Sequence, residues 1–256
     1  MKNLQYKFFI FFLILLFLFG CATQEQQITK VKSDTEKLHS IIQEQYAGLI
    51  TSGEEELQNN ANETGSQGPA NDFLLKGGRR MIDDLKWFKT EEEQAYQKSQ
   101  SSQDIAVLLE SDNKMFANFM LFQIDVLWNV ISMGNGVKII SNVPGNAEEF
   151  DFSAFDEEFS SAELNLSKFK SAIKSDNEAM CDKIFAEVKK NAQFKNNLQE
   201  IMWAYNENGM KSACGELLAK YKSKLANDYE KLKGEKSYER AFLALKINAI
   251  SLLENS

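Results

Sequence analysis

Residues 104–133 constrain the fold of this chain more than any other stretch. The second half of that stretch (FANFMLFQIDVLWNVISM) is apolar nearly all round a helix. Four of its five polar residues, Asn118, Asp125, Asn129 and Ser132, are spaced i, i+7, i+11 and i+14. At about 100° per residue, they fall within an arc of roughly 60°. A helix with one narrow polar stripe and apolar surface elsewhere must be surrounded by other helices. A membrane span is the competing use of such a stretch, but Asp125 at mid-span would cost several kcal/mol. Asp125 is read as facing water along the stripe, with a core hydrogen bond or a ligand cavity as alternatives.

The rest of the body repeats the helical period. Val31, Leu38, Ile42, Tyr46 and Leu49 recur at helical steps from Ile28 onward. Residues 53–69 are polar and read as a mobile loop. A second helix is expected over residues 71–99, with Phe73, Leu74, Ile82, Leu85 and Phe88 inward and a break or kink at Gly77-Gly78. Ser102 or Asp104 is placed to cap the central helix, and Gly134-Asn135-Gly136 to end it. Residues 137–143 form a short β-capable run. Phe150, Phe152, Phe155 and Phe159 then read as plugs for the core. Five shorter helices are expected beyond Ser160, with faces carried by Leu164 and Phe169; Met180, Ile184 and Val188; Phe194, Leu198, Ile201 and Tyr205; Met210, Cys214, Leu217, Tyr221 and Leu225; and Tyr238, Phe242, Leu245, Leu252 and Leu253. Two prolines and thirteen glycines in 256 residues are too few for a turn-rich β-sandwich or barrel. The expected fold class is all-α, a bundle or irregular array of about eight helices. No fixed repeat period holds.

The N-terminus carries an address. Lys2 and Lys7 precede an unbroken apolar run over residues 8–19, twelve residues long. A membrane-spanning helix needs about 20, so the run reads as a secretory signal peptide. The run ends in Leu18-Phe19-Gly20-Cys21, which resembles the lipobox of bacterial lipoproteins. That resemblance covers only this segment. It implies cleavage after Gly20, lipidation of Cys21 and attachment to a membrane through the N-terminal lipid. The division expected from it is a signal peptide over 1–20, a lipidated tether over 21–27 and a helical domain over 28–256. Ala22 follows the cysteine where an aspartate would retain an enteric-type lipoprotein in the inner membrane, so the outer membrane is favoured.

Charge and cysteine content fit an envelope protein. The formal net charge of −8 repels nucleic acid and anionic lipid, and no nucleic-acid partner is expected. With Cys21 used for lipid, Cys181 and Cys214 remain as an even pair on the apolar faces of their helices. In an oxidising compartment they are disulfide candidates, with two buried thiols as the alternative.

Catalytic patterns are weak. The single histidine, His39, excludes multi-histidine metal sites and reads as a solvent-facing or helix-packing residue. Two cysteines and one distant histidine are too few for structural zinc, so no metal or cofactor is expected. Ser171-Ala172-Ile173-Lys174 matches SxxK and Ser175-Asp176-Asn177 follows at once, similar to penicillin-recognising serine enzymes. In that family the two tags lie apart and a third completes the site, so the second tag reads as a helix break. Acidic runs such as Glu91-Glu92-Glu93 and Asp156-Glu157-Glu158 read as solvated faces. The one basic cluster, Lys76-Gly77-Gly78-Arg79-Arg80, offers Lys76, Arg79 and Arg80 as anion or partner contacts. The chain is thus expected to bind or scaffold envelope components without catalysis, with a protein partner. A binding protein for a small or lipidic ligand, its cavity lined by Asp125, Phe119, Phe122 and Trp128, is the alternative. A carboxylate-based envelope hydrolase comes third.

Overall fold

The computed structural model describes residues 2–62, 68–143, 150–171, 177–190 and 207–255, and among them side chains from Glu25 onward except at positions 61, 62, 189, 207 and 208. Every regular element among them is helical: α1 (Lys2–Asn62), α2 (Pro69–Ser101), α3 (Ile105–Asn142), a 3-10 turn (Phe152–Phe155), α4 (Asp156–Ser171), α5 (Asn177–Lys189), α6 (Glu207–Lys231) and α7 (Tyr238–Asn255). The all-α class follows directly, with seven α-helices described. The expected helix built on Phe194, Leu198, Ile201 and Tyr205 lies outside the described residues, as do residues 172–176 between α4 and α5.

Helix α3 is the axis of the array. It touches α1, α2, α5, α6, α7 and the 3-10 turn. It is long and apolar enough to cross a membrane, yet 72% of its apolar window is buried against other helices, as in a core helix. Asp104 caps it by accepting from the Ala106 N–H at 2.9 Å. Helix α2 runs antiparallel to α3, pairing Lys98 with Glu110 near one end, Phe88 with Asn118 midway along α2 and Phe73 with Gly136 near the other end. Helix α1 runs antiparallel to α2 and parallel to α3 (Glu54 meets Lys86, and Thr35 meets Asp112). Helices α6 and α7 close the other side, and α5 is joined to α6 through the sulfurs of Cys181 and Cys214, which lie at bonding distance.

Three expected breaks are absent, and side-chain seating explains each. Gly77-Gly78 does not break α2, which runs unbroken from Pro69 to Ser101. A Cβ on Gly77 would stand 2.9 Å from the Phe242 ring, and one on Gly78 would stand 2.8 Å from Leu57 Cδ2. The glycines are flat seats for α7 and α1. Gly134-Asn135-Gly136 does not end α3, and residues 137–143 form no strand. A Cβ on Gly136 would stand 2.0 Å from Phe73 Cζ, so the glycine lets α2 and α3 approach. Ile140 beyond it is buried, and that packing overrides the β-preference of Val137 and Ile139. Residues 53–62, expected in a mobile loop, continue α1. Gly53 lies against Ile82, Leu57 against Gly78 and Glu54 against Lys86. Residues 63–67 lie outside the described residues, and Pro69 opens α2 at a position that needs no N–H.

The core was largely legible from periodicity, with local corrections. Phe155 and Phe159 are buried, while Phe150 and Phe152 pack half-buried around Tyr238. Leu164 and Leu252, expected inward, are 59% and 72% exposed. The buried face of α4 is Phe159, Ala162, Leu166 and Phe169, and Leu164 stands about half a turn away from Leu166. Leu49 and Leu74 are exposed for the same kind of reason, each beside a buried face and not on it.

Candidate functional site

The polar stripe of α3 faces inward. Asn118, Asp125, Asn129 and Ser132 are all buried, which corrects the expectation that Asp125 faces water. Asp125 lies where α2, α3, α6 and α7 meet. Lys246 Nζ from α7 is 2.9 Å from Asp125 Oδ1 and 2.7 Å from Asp84 Oδ2 on α2. The Tyr221 hydroxyl from α6 is 2.6 Å from Asp125 Oδ1 and 3.0 Å from Asp84 Oδ2, so its one proton serves one carboxylate at a time. Asn129 Nδ2 donates to Asp125 Oδ2. All four principal side chains are fully buried.

The two carboxylates differ because their cations differ. Burial pushes Asp84 up, but Lys246 and Lys224 outweigh it and hold the group below its usual range. Asp125 has only Lys246 and stands beside Asp84, so burial leaves it raised. Burial also lifts the Tyr221 hydroxyl well above its usual range. The cluster reaches the surface through Lys224, which donates to Asp84 Oδ1 at 2.6 Å and to Asp228 Oδ2 at 3.1 Å. Asp228 in turn accepts from Arg80 at 2.6 Å. Against the opposing push of burial, bonds from Arg80, Lys231 and Lys224 bring Asp228 down to about 2. This chain of charges ties α2, α3, α6 and α7 together.

A second set of buried polar contacts docks α1. Thr35 donates to Asp112 Oδ1 at 2.6 Å, and Tyr46 donates to Asn118 Oδ1 at 2.5 Å. Between them, His39 Nδ1 lies 3.0 Å from Glu92 Oε1, and Gln43 donates to Glu92 Oε2. The imidazole stacks flat on Tyr96, with centroids 3.6 Å apart. Burial pushes Asp112 up to about 6, against the Thr35 hydrogen bond. Burial raises Glu92 too, against its bonds from His39 and Gln43. The expectation of a solvated acidic run at residues 91–93 therefore fails at its centre. Glu92 is fully buried, and α1 supplies the partners that make this tolerable.

The remaining candidates separate. Arg80 is no free anion contact, because its guanidinium is committed to Asp228 and, at 3.6 Å, to Glu239. Lys76 and Arg79 are exposed on the same helix. Phe119, Phe122 and Trp128 are at most 2% exposed and fill the core. The clefts on α2 and α6 are lined by other residues. One, of about 190 Å³, is bordered by Lys98, Lys114 and Lys220, each ion-paired to a glutamate. That is below the ~300 Å³ at which small-molecule sites begin; the neighbouring cleft beside Trp87, Ala219 and Asn227, about 520 Å³, is a shallow surface open to solvent. The Cys21 side chain and residues Ala172 to Asp176 of the SxxK and SDN tags lie outside the described residues.

Sequence reasoning missed Asp84, Lys246, Tyr221 as a hydrogen-bond donor, and Glu92. Lys246 had a readable signal, since it interrupts the apolar run AFLALKINAI. Asp84 and Glu92 had none, lying among other acids on an amphipathic helix. Compared with protein-family models, with curated proteins and with solved structures, the chain finds no match.

Proposed function

We propose that this chain is a lipid-anchored protein of the bacterial cell envelope whose helical body binds or scaffolds other envelope components without catalysis. The observation that carries the reading is Leu18-Phe19-Gly20-Cys21 directly behind a twelve-residue apolar run. Cys21 takes the acyl chains, which hold the body at a membrane surface at about 0.8 kcal/mol per buried CH₂. Ala22 directs it to the outer membrane. The Cys181–Cys214 pair suits an oxidising compartment. From Cys21 to Thr35, where docking on α3 begins, α1 spans about 20 Å as a helix, which sets the body off from the bilayer.

The partner is a protein, met by the apolar outer face of α3. Leu127, Val130 and Ile131 are exposed there. Leu49 of α1 lies one turn beyond the Gln45–Gln123 contact and extends the patch. Crosslinking in intact envelopes, followed by affinity capture and mass spectrometry, tests the reading. A reproducible partner that is lost when Leu127 and Val130 are changed to serine supports it. No captured protein, or capture indifferent to the two changes, contradicts it.

A further inference from the structure

We infer that α1 is an acid-closed strap, which grips the α2–α3 face in acid and loosens as pH rises. Four carboxylates are buried among the described residues: Asp84, Glu92, Asp112 and Asp125. They divide by place. Asp84 and Asp125 lie between α2, α3, α6 and α7, and both face the Lys246 ammonium. Asp112 and Glu92 lie under α1, and among the described residues neither has a lysine or arginine ion pair. Asp112 accepts from the Thr35 hydroxyl at 2.6 Å. Glu92 meets His39 Nδ1 at 3.0 Å and accepts from the Gln43 amide.

The grip of α1 is concentrated over these two acids. Its buried side chains are Thr35, Leu38, Ile42 and Tyr46. Further along, the Glu54–Lys86 pair is more than half exposed and holds weakly. Helix α1 packs on α2 and α3, and the Lys246 cluster takes no residue from it. The strap therefore lifts without parting the charged core.

Burial sets the direction. A carboxylate taken from water without a cation favours its proton. Burial pushes Asp112 up to about 6, against the Thr35 bond, and the Asp34 charge on α1 adds to the rise. Burial raises Glu92 too, with Glu93 adding to it and His39 and Gln43 opposing. Lifting α1 returns water to both acids, so the docked state holds their protons more tightly and loses that advantage as pH rises. A proton on the His39 imidazole pairs it with the Glu92 carboxylate, which also favours docking in acid. Burial holds the Tyr46 hydroxyl well above its usual range, so it keeps its proton throughout. Lifting uncovers Phe122, whose ring packs on Tyr46 at 4.7 Å. Phe122 adjoins the Gln45–Gln123 contact, so a loosened strap enlarges the apolar face offered to a protein partner. That consequence alone rests on the partner reading above.

The test is hydrogen exchange of the full chain in detergent, without a partner, read by mass spectrometry from pH 4.5 to 7.5 and corrected for the intrinsic rate. Residues 35–46 are expected to be less protected than the α7 amides around Lys246 at every pH. Their protection should fall ~20-fold or more across the range, from the gap between 3.8 and about 6 at Asp112. Asp112→Asn, which keeps an acceptor for Thr35, should flatten most of the fall. Residues 35–46 as protected as α7 overturn the strap, and so does protection that is level or rises with pH. A fall undiminished in Asp112→Asn, with normal helical circular dichroism, overturns it as well.

Discussion

Lys246 Nζ lies 2.7 Å from Asp84 Oδ2 with both side chains fully shielded from solvent, joining the last helix to the second across 162 residues of chain. Asp125 and Tyr221 complete the cluster. A buried charge is tolerated only while its partner is present. Lys246→Met removes the ammonium that two carboxylates share and should cost ~3–5 kcal/mol. Urea unfolding measures it. Adding Asp125→Asn to Lys246→Met should cost less than the sum of the two single changes, because they act on one pair.

The Gly134-Asn135-Gly136 stretch supplies a second test with opposite signs two residues apart. Gly134 has open space where a Cβ would go, so Gly134→Ala should stabilise the helix by ~0.5–1 kcal/mol. At Gly136 the Cβ would meet the Phe73 ring, and Gly136→Ala should destabilise by ~1–3 kcal/mol. Paired thermal unfolding curves distinguish them.

Asp112 sets a pH dependence. Its folded value of about 6 lies above the unfolded 3.8, so the folded state binds the proton more tightly. Its contribution is fully present below about pH 4 and is lost as pH rises toward 6. Asp112→Asn keeps an acceptor for Thr35 and should be more stable than the parent at pH 7, by ~2–3 kcal/mol at most. The advantage should vanish near pH 4. Denaturant midpoints of the two proteins across that range give the answer.

Asp228 has the reverse sign. Its folded value of about 2 lies below 3.8, so its contribution is present above pH 4 and lost as pH falls toward 2. Asp228→Asn should destabilise by ~1–2 kcal/mol at pH 7, discounted for its partial exposure, and by little at pH 2.

Much of the fold was legible because burial in a helical array imposes a 3.6-residue period on its apolar faces. The central position of α3 followed from its narrow polar stripe, and Cys181 faced Cys214 because both lie on apolar faces. Breaks were legible only as composition. Gly77-Gly78 and Gly134-Asn135-Gly136 look like terminators, but Gly77, Gly78 and Gly136 are places where a bulky residue from another helix needs the room. Nothing local in the sequence distinguishes the two uses. The charged interior was the least legible part. Asp125 was noticed, yet its partners come from positions 84, 221 and 246, and sequence pattern does not say which charge on one helix meets which on another. The same blindness hid His39 beside Glu92.

The most direct measurement on the central claim is the intact mass of the protein extracted from membranes, with Cys21→Ser alongside. The expected result is a chain beginning at Cys21 with added diacylglyceryl and acyl mass, while Cys21→Ser stays unprocessed and unlabelled by a fatty-acid probe. A membrane-extracted protein that retains residues 1–20, or carries an unmodified Cys21, would contradict lipid anchoring and the envelope reading built on it.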